Sequence, residues 1–486
     1  MHVVDMIFFW AKARPHHPAI IQSDMVISYK ALTEAIVSVS ERIGQLNLNP
    51  HEQVAIAIDH PAKQLAVTFA LLHGGYTPAP VYRGLLPFLR TAGIDNTIYA
   101  GETQVLSGGR NIRFEDSWLP RGPSPSAPTG RGPNGAYPST IFFSSGTTGM
   151  PKKYVQTSEG SIERLKTTIL RENDHVSRSL VIPGVSSSFG YNHACEMLYG
   201  GETACFSLPG EIALALMSTY RIEAIVASPQ QALGLVDLIE KGAGQYQLGS
   251  LKSVKIGGGS ISKNLVRRIQ ASLCPQISVI YGSTEAGNMA FASYDAIADI
   301  PDAVGFVPPW VQLEIVDDSD VVLPPETEGR IRCRTPIYAK HFAANNPNAK
   351  AAAKEAWWYP GDLGRLTRNG ILCVSGRSSD VIDRGGQKLS AAALDETLTS
   401  LNGIRDASVC GVMGDSGINE IWIGVVPETA IDIAKLKQDL QADEKFGTQA
   451  DEIFIVEKIP RNELGKIKRY ELRDMLVGMK KRLAST

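Results

Sequence analysis

The stretch Ile141-Phe142-Phe143-Ser144-Ser145-Gly146-Thr147-Thr148-Gly149-Met150-Pro151-Lys152 carries an apolar, strand-like run into a hydroxyl- and glycine-rich loop that ends in a lysine. Gly146 and Gly149 let backbone N–H groups turn inward around an anion. Ser144, Ser145, Thr147 and Thr148 add hydroxyl donors, and Lys152 supplies a cation. That is chemistry for a polyphosphate. It is not a Walker A loop, because the spacing GxxxxGK[ST] occurs neither here nor elsewhere in the chain.

Four more segments follow in order: Tyr281-Gly282-Ser283-Thr284-Glu285, Tyr359-Pro360-Gly361-Asp362-Leu363-Gly364, Gly376-Arg377-Ser378-Ser379-Asp380 and Pro460-Arg461-Asn462-Glu463-Leu464-Gly465-Lys466. With the first loop they resemble the ordered core motifs of the adenylate-forming superfamily. That group holds acyl- and aryl-CoA synthetases, the adenylation domains of nonribosomal peptide synthesis and firefly luciferase. The resemblance spans the chain from Tyr29 to Lys466.

A carboxylate is a poor electrophile, so an enzyme that makes thioesters first converts it to a mixed anhydride with AMP, drawing on ATP. Attack on the α-phosphate gathers negative charge from the carboxylate, the phosphoryl group and the departing pyrophosphate, so positioned cations and N–H donors supply most of the catalysis. The resemblance implies that residues 144–152 hold the β- and γ-phosphates, that Thr284 contacts phosphate, and that Glu285 holds Mg²⁺, a hard cation that prefers oxygen. Adenine would stack on Tyr281, beside Gly282 and Ser283, and lie against Gly257, Gly258 and Gly259. Asp362 and Arg377 would meet the ribose hydroxyls. Lys466 is the expected catalytic cation, bridging carboxylate and α-phosphate. Asp380 is the expected hinge, about which a small domain turns to present Gly385, Gly386 and Lys388 for thiol attack.

To hold such segments the chain needs a layered α/β frame. Short apolar runs such as 53–58, 178–182 and 222–227 read as buried strands, and they alternate with helical patterns at 62–73 and along Leu32, Ile36, Val39 and Ile43. Residues 119–138 carry six prolines among glycines and serines and read as an irregular linker. The expected fold class is α/β: a large amino-terminal domain over 1–379, with a small β-rich subdomain at about 304–375, and a small mobile α+β carboxy-terminal domain over 380–486 that begins at Asp380. In the last part, 407–413, 421–426 and 453–456 read as strands and 431–440 as a helix.

Composition sets the outer bounds. A formal net charge of −2 on 486 residues offers no basic field for nucleic acid. Cys195, Cys205, Cys274, Cys333, Cys373 and Cys410 are scattered without metal-ligand spacing and read as small buried residues in a reducing compartment. The apolar residues Ile7 to Trp10 lack a preceding basic segment, so a secretory signal is not expected. No membrane span is expected either, and the expected location is cytoplasmic.

Three departures from the superfamily pattern bear on substrate and acceptor. Pro360 stands where threonine is usual, Ala391 and Ala393 replace a Pro-x-Glu pattern after Lys388, and Lys153 follows Lys152 where glycine is usual. The expected substrate-pocket segment is Phe189-Gly190-Tyr191-Asn192-His193, which lacks the aspartate that pairs with the amine of an amino acid. An uncharged acyl or aryl carboxylic acid follows as substrate. Coenzyme A is the expected acceptor, with the phosphopantetheine thiol of a carrier protein as the alternative. A nucleotide-binding regulatory protein with a degenerate site is the rival of another class.

Overall fold

The computed structural model describes residues 1–23, 25–101, 109–120, 137–144, 151–171, 176–208, 210–242, 246–338, 355–384, 387–414, 418–428, 431–442, 450–462 and 465–484. Most of the linker 119–138 and the loop 145–150 lie outside them.

Buried runs build the centre. Ala224–Ala227 is buried at every residue, as is Ser253–Gly257, so each strand is covered on both faces, as parallel sheets require. Six strands lie side by side in parallel, in the order Ile277–Ser283, Ser253–Gly257, Ala224–Ala227, Arg178–Val181, Thr203–Phe206 and Pro18–Gln22. A second, four-stranded parallel sheet is formed by Thr77–Pro80, Gln53–Ala57, Asn96–Tyr99 and Arg110–Arg113. The helix Tyr29–Gly44 buries Leu32, Ile36, Val39 and Ile43, at the spacing the sequence shows. The apolar amino terminus becomes the helix Val3–Ala13, with Ile7 and Phe8 in the core.

The described strands between 303 and 377 form no sheet of their own. Gly287–Ser293 pairs antiparallel with Ile277–Ser283, and the strands Ala303–Phe306, Ile371–Arg377, Asp362–Leu366, Gly329–Arg334 and Gln312–Val316 continue outward from it in one thirteen-stranded order. Continuous hydrogen bonding thereby carries Asp362 and Arg377 into register with the central strands.

The carboxy-terminal part has its own core. Ile404–Met413 and Asn419–Pro427 form an antiparallel pair, Ala450–Ile455 adds in parallel, and the helices Ala391–Thr399, Ile433–Ala442 and Arg469–Ala484 accompany them. All six cysteines are free and buried. Among the described residues, no helix is long and apolar enough to cross a membrane.

Candidate active site

The site gathers at the carboxyl ends of the parallel strands, where α/β sheets place their ligands. Gly257 closes one strand, Ser283 closes the next, and Ala227 is followed by Ser228, which caps the helix Pro229–Glu240.

Thr140–Ser144 and Lys152–Gln156 form a hairpin in which Ser144 pairs with Lys152. The residues between them, including Ser145, Gly146, Thr147, Thr148 and Gly149, lie outside the described set; Lys152 stands exposed at the mouth of that loop. Strand alternation sends the next lysine elsewhere. Lys153 donates to Gln53 Oε1 at 2.6 Å and to the Ala92 carbonyl at 2.8 Å, so it ties the hairpin to the four-stranded sheet instead of adding charge to the phosphate loop. Burial pushes its pKa down.

Thr284, Glu285 and Ala286 form the turn between Ile277–Ser283 and Gly287–Ser293. Ser283 Oγ accepts the Ala286 N–H at 3.0 Å, and Thr335 Oγ1 donates to the Ala286 carbonyl at 2.9 Å, so the turn is braced from within and from a neighbouring segment. Gly282 packs against this hairpin: a Cβ there would stand 2.3 Å from the Gly287 carbonyl oxygen.

Asp362 and Arg377 are direct partners in the antiparallel ladder, which sets Arg377 Nε 3.5 Å from Asp362 Oδ1. Tyr281 completes the group, its hydroxyl donating to Asp362 Oδ2 at 2.6 Å. Burial holds the Asp362 carboxyl above its ordinary range, against the opposing effect of Tyr281, Arg377 and Lys466. Burial and the neighbouring carboxylate raise the Tyr281 phenol well above its usual value.

Lys466 comes from the other end of the chain. A compact loop presents it: Lys466 N–H donates to Asn462 Oδ1 at 2.9 Å and Asn462 N–H returns to the Lys466 carbonyl at 2.8 Å. Arg461 anchors that loop through a two-toothed contact with Asp406, at 3.2 and 2.7 Å, and donates to the Gly465 carbonyl at 2.7 Å. Gly465 has φ +76°, and a Cβ on it would stand 2.5 Å from Gln230 Cβ, so only glycine lets the loop close on the helix after Ser228. Burial and the Arg377 charge push the Lys466 pKa down, while Asp362 and Glu285 oppose them. Lys466 therefore stands within electrostatic reach of Arg377, Asp362 and Glu285.

The expected substrate segment divides. Phe189 lies against Gly257, where a Cβ would approach its ring to 2.9 Å, and both flank the strand end with Gly258 and Gly259 following. The other four residues hold the structure together. Gly190 packs on the Pro183 carbonyl, 2.2 Å from where a Cβ would sit. Tyr191 is 3% exposed, with Phe142 at 5.1 Å and Phe69 at 6.3 Å between ring centres. Asn192 exchanges amide hydrogen bonds with Gln156 at 2.9 and 3.2 Å, and His193 is held by Ser179 at 3.1 Å and Glu196 at 3.0 Å. The side chains of Tyr191, Asn192 and His193 are thus held by the fold, on the helix Ser188–Gly200 that follows the strand Arg178–Val181.

Asp380 ends the short turn Ser378–Asp380 and accepts from Arg469 Nε at 3.2 Å. Gly385 and Gly386 lie outside the described residues; Lys388 belongs to the strand Gln387–Ser390, paired with Val381–Arg384.

The profile of the AMP-binding enzyme family matches residues 7–342, more than half of the chain. The chain belongs to that family. This AMP-binding enzyme is 24% identical over 518 aligned residues to a salicylyl-CoA synthase / salicylate adenylyltransferase of Streptomyces, covering 96% of this chain and 92% of that one. It is 27% identical to a medium-chain fatty-acid–CoA ligase of Escherichia coli, a match spanning 68% of this chain and 60% of the relative's length. Its fold is similar to that of o-succinylbenzoate CoA synthetase from Bacillus subtilis bound to an acyl-adenylate, with a TM-score of 0.80, 19% identity and coverage of 96% and 98%.

Among the described residues no three carboxylate, histidine or cysteine side chains cluster as a metal cage. A single carboxylate at Glu285 fits Mg²⁺ delivered on a triphosphate, because that ion keeps waters and phosphate oxygens and takes only one or two protein carboxylates. Two features escape a motif-by-motif reading of the sequence: the Tyr281 to Asp362 hydrogen bond, and Arg164, whose Nη2 donates to the Thr284 carbonyl at 2.8 Å.

Proposed function

We propose that this protein activates an uncharged acyl or aryl carboxylic acid as its adenylate, using ATP and Mg²⁺, and transfers the acyl group to the thiol of coenzyme A. What supports the reading is the grouping of Tyr281, Asp362 and Arg377 by direct contact, with Gly465 packed on Gln230 and Lys466 within electrostatic reach of Asp362, Arg377 and Glu285. In the adenylating step the acid's carboxylate oxygen attacks the α-phosphorus and the bond to pyrophosphate breaks. Lys466 stabilises charge on both the carboxylate and the α-phosphate, Lys152 and the loop after Ser144 hold the phosphates, and Asp362 with Arg377 fixes the ribose. Glu285 with Thr284 would hold Mg²⁺, which neutralises phosphate charge when bound.

The segment 189–193 supports an uncharged acid: Phe189 lies against Gly257, Asn192 is bonded to Gln156 and Ser188, and the segment carries no carboxylate to pair with an amine. ATP–pyrophosphate exchange over a panel of acids tests the first step: exchange with aryl or acyl acids and none with α-amino acids is expected, and exchange with a standard amino acid overturns it. Thioester formation with free coenzyme A against a phosphopantetheinylated carrier protein then decides the acceptor. Absence of exchange with every acid would leave nucleotide-dependent regulation as the better reading.

A further inference from the structure

Arg164 lies on the helix Ser158–Arg171, outside all five motifs, and is only 7% exposed. Burying a guanidinium is costly unless partners replace its water. Its Nη2 donates to the carbonyl of Thr284, 120 residues away, at 2.8 Å. The same side chain is hydrogen-bonded to Tyr154, which stands in the phosphate-loop hairpin two residues beyond Lys152, and Glu285 also acts on that phenol. Nη1 would lie 3.5 Å from a Cβ on Gly287, the residue that closes the Thr284 to Ala286 turn with φ +78°. A permanently charged, planar donor therefore touches both phosphate-side elements at once: the hairpin that carries Lys152 and the turn that carries Thr284 and Glu285.

We infer that Arg164 is a positioning residue that locks the Thr284–Glu285 turn to the phosphate-loop hairpin, and that it thereby sets the affinity for the Mg²⁺-triphosphate end of ATP and not for its nucleoside end. The inference rests on the adenylating reading above and adds a residue to it. Tyr281, Asp362 and Arg377 hold the nucleoside without passing through Arg164, so the two ends of ATP should respond differently. Arginine suits the task because its fork serves two acceptors in one plane, whereas lysine offers a point charge to one.

Calorimetric titration of the full chain with MgATP and, separately, with adenosine tests this without relying on turnover. Arg164→Gln is expected to weaken MgATP about tenfold to a hundredfold, the loss typical of a hydrogen bond to a charged group, while adenosine affinity stays unchanged. Arg164→Lys should fall between the two. Tyr154→Phe removes the hairpin side of the tie alone and should weaken MgATP by less, again sparing adenosine; it keeps the test decisive if Arg164→Gln fails to fold. Unchanged MgATP affinity in these variants, or a parallel loss of adenosine and MgATP, overturns the positioning role. If the unmodified protein binds adenosine but not MgATP, or neither, the adenylating reading falls first.

Discussion

The Tyr281 hydroxyl and the Asp362 carboxylate are joined by a 2.6 Å hydrogen bond, although 81 residues separate them. A carboxylate oxygen carries two lone pairs, so Oδ2 can accept from Tyr281 and still receive a ribose hydroxyl. The phenol thus aims the carboxylate and opposes the burial that drives Asp362 toward its neutral form. Tyr281→Phe keeps the ring for stacking and removes the bond. The KM for ATP should rise about tenfold, the cost of a hydrogen bond to a charged group, with the KM for the acid unchanged. An equal rise in both would show that the phenol shapes the whole pocket instead of the nucleotide end.

Lys466 should show itself in the alkaline limb of the pH profile. Burial and Arg377 depress its pKa, so its proton leaves at lower pH than that of a free lysine, and the cation needed for adenylation is lost as pH rises through that value. The kcat/KM for pyrophosphate exchange is expected to fall on the alkaline side below the ordinary lysine range. Lys466→Arg should abolish that limb whatever its remaining rate, since guanidinium does not titrate there. A limb that persists in the arginine variant would assign it to another group.

Much of this arrangement was legible in the sequence because the motifs are local. A turn such as 284–286 is specified by its own polar residues and the glycines that flank it, and the apolar runs at 53–57 and 224–227 admit few structures other than buried strands. Tertiary pairing was not legible. The contact of Asp362 with Arg377 follows from ladder register, and that of Tyr281 with Asp362 from a sheet that continues from the central strands into the β-rich stretch. The packing of residues 190–193 was not legible for a related reason: a polar or aromatic residue in a helix gives no local sign of whether it faces a ligand or a neighbouring strand. Arg164 lies among ordinary surface-helix residues, and only burial sets it apart.

Gly465→Ala should separate closure from folding. The left-handed φ and the 2.5 Å approach to Gln230 would both be violated, yet neither lies in the carboxy-terminal core around Val409, Ile423 and Val425. The residue's strain alone is of order 1–3 kcal/mol. Adenylation should fall about tenfold or more as the loop is held away from the helix after Ser228, while the conversion of supplied acyl-AMP and thiol to thioester stays near its original rate. Gln230→Gly, which removes the Cβ that the new methyl would meet, is expected to restore part of the loss. If it restores none, the glycine serves the loop's own turn and not its docking.

The proposed hinge at Asp380 has geometric bounds in this structure. Ser378 belongs to the large unit, since its N–H and Oγ both donate to the Gly361 carbonyl at 2.9 Å. Asp380 belongs to the small one: Arg469 reaches it at 3.2 Å and also donates to Asp395 at 2.6 Å, Ser408 at 2.9 Å and the Val409 carbonyl at 2.8 Å. Any rotation that keeps both sets of bonds must be absorbed between Ser378 and Asp380. Asp380→Pro fixes φ at that point near the value a 3-10 turn already uses, so it should spare acyl-AMP formation and slow thioester formation from supplied acyl-AMP by about tenfold or more. Asp380→Asn keeps an acceptor for Arg469 without stiffening the backbone and should leave both steps close to normal. Single-turnover measurement of each half-reaction decides between backbone rotation and side-chain chemistry. Equal loss of both steps in the proline variant would mean that the two half-reactions are not divided by a turn about this segment.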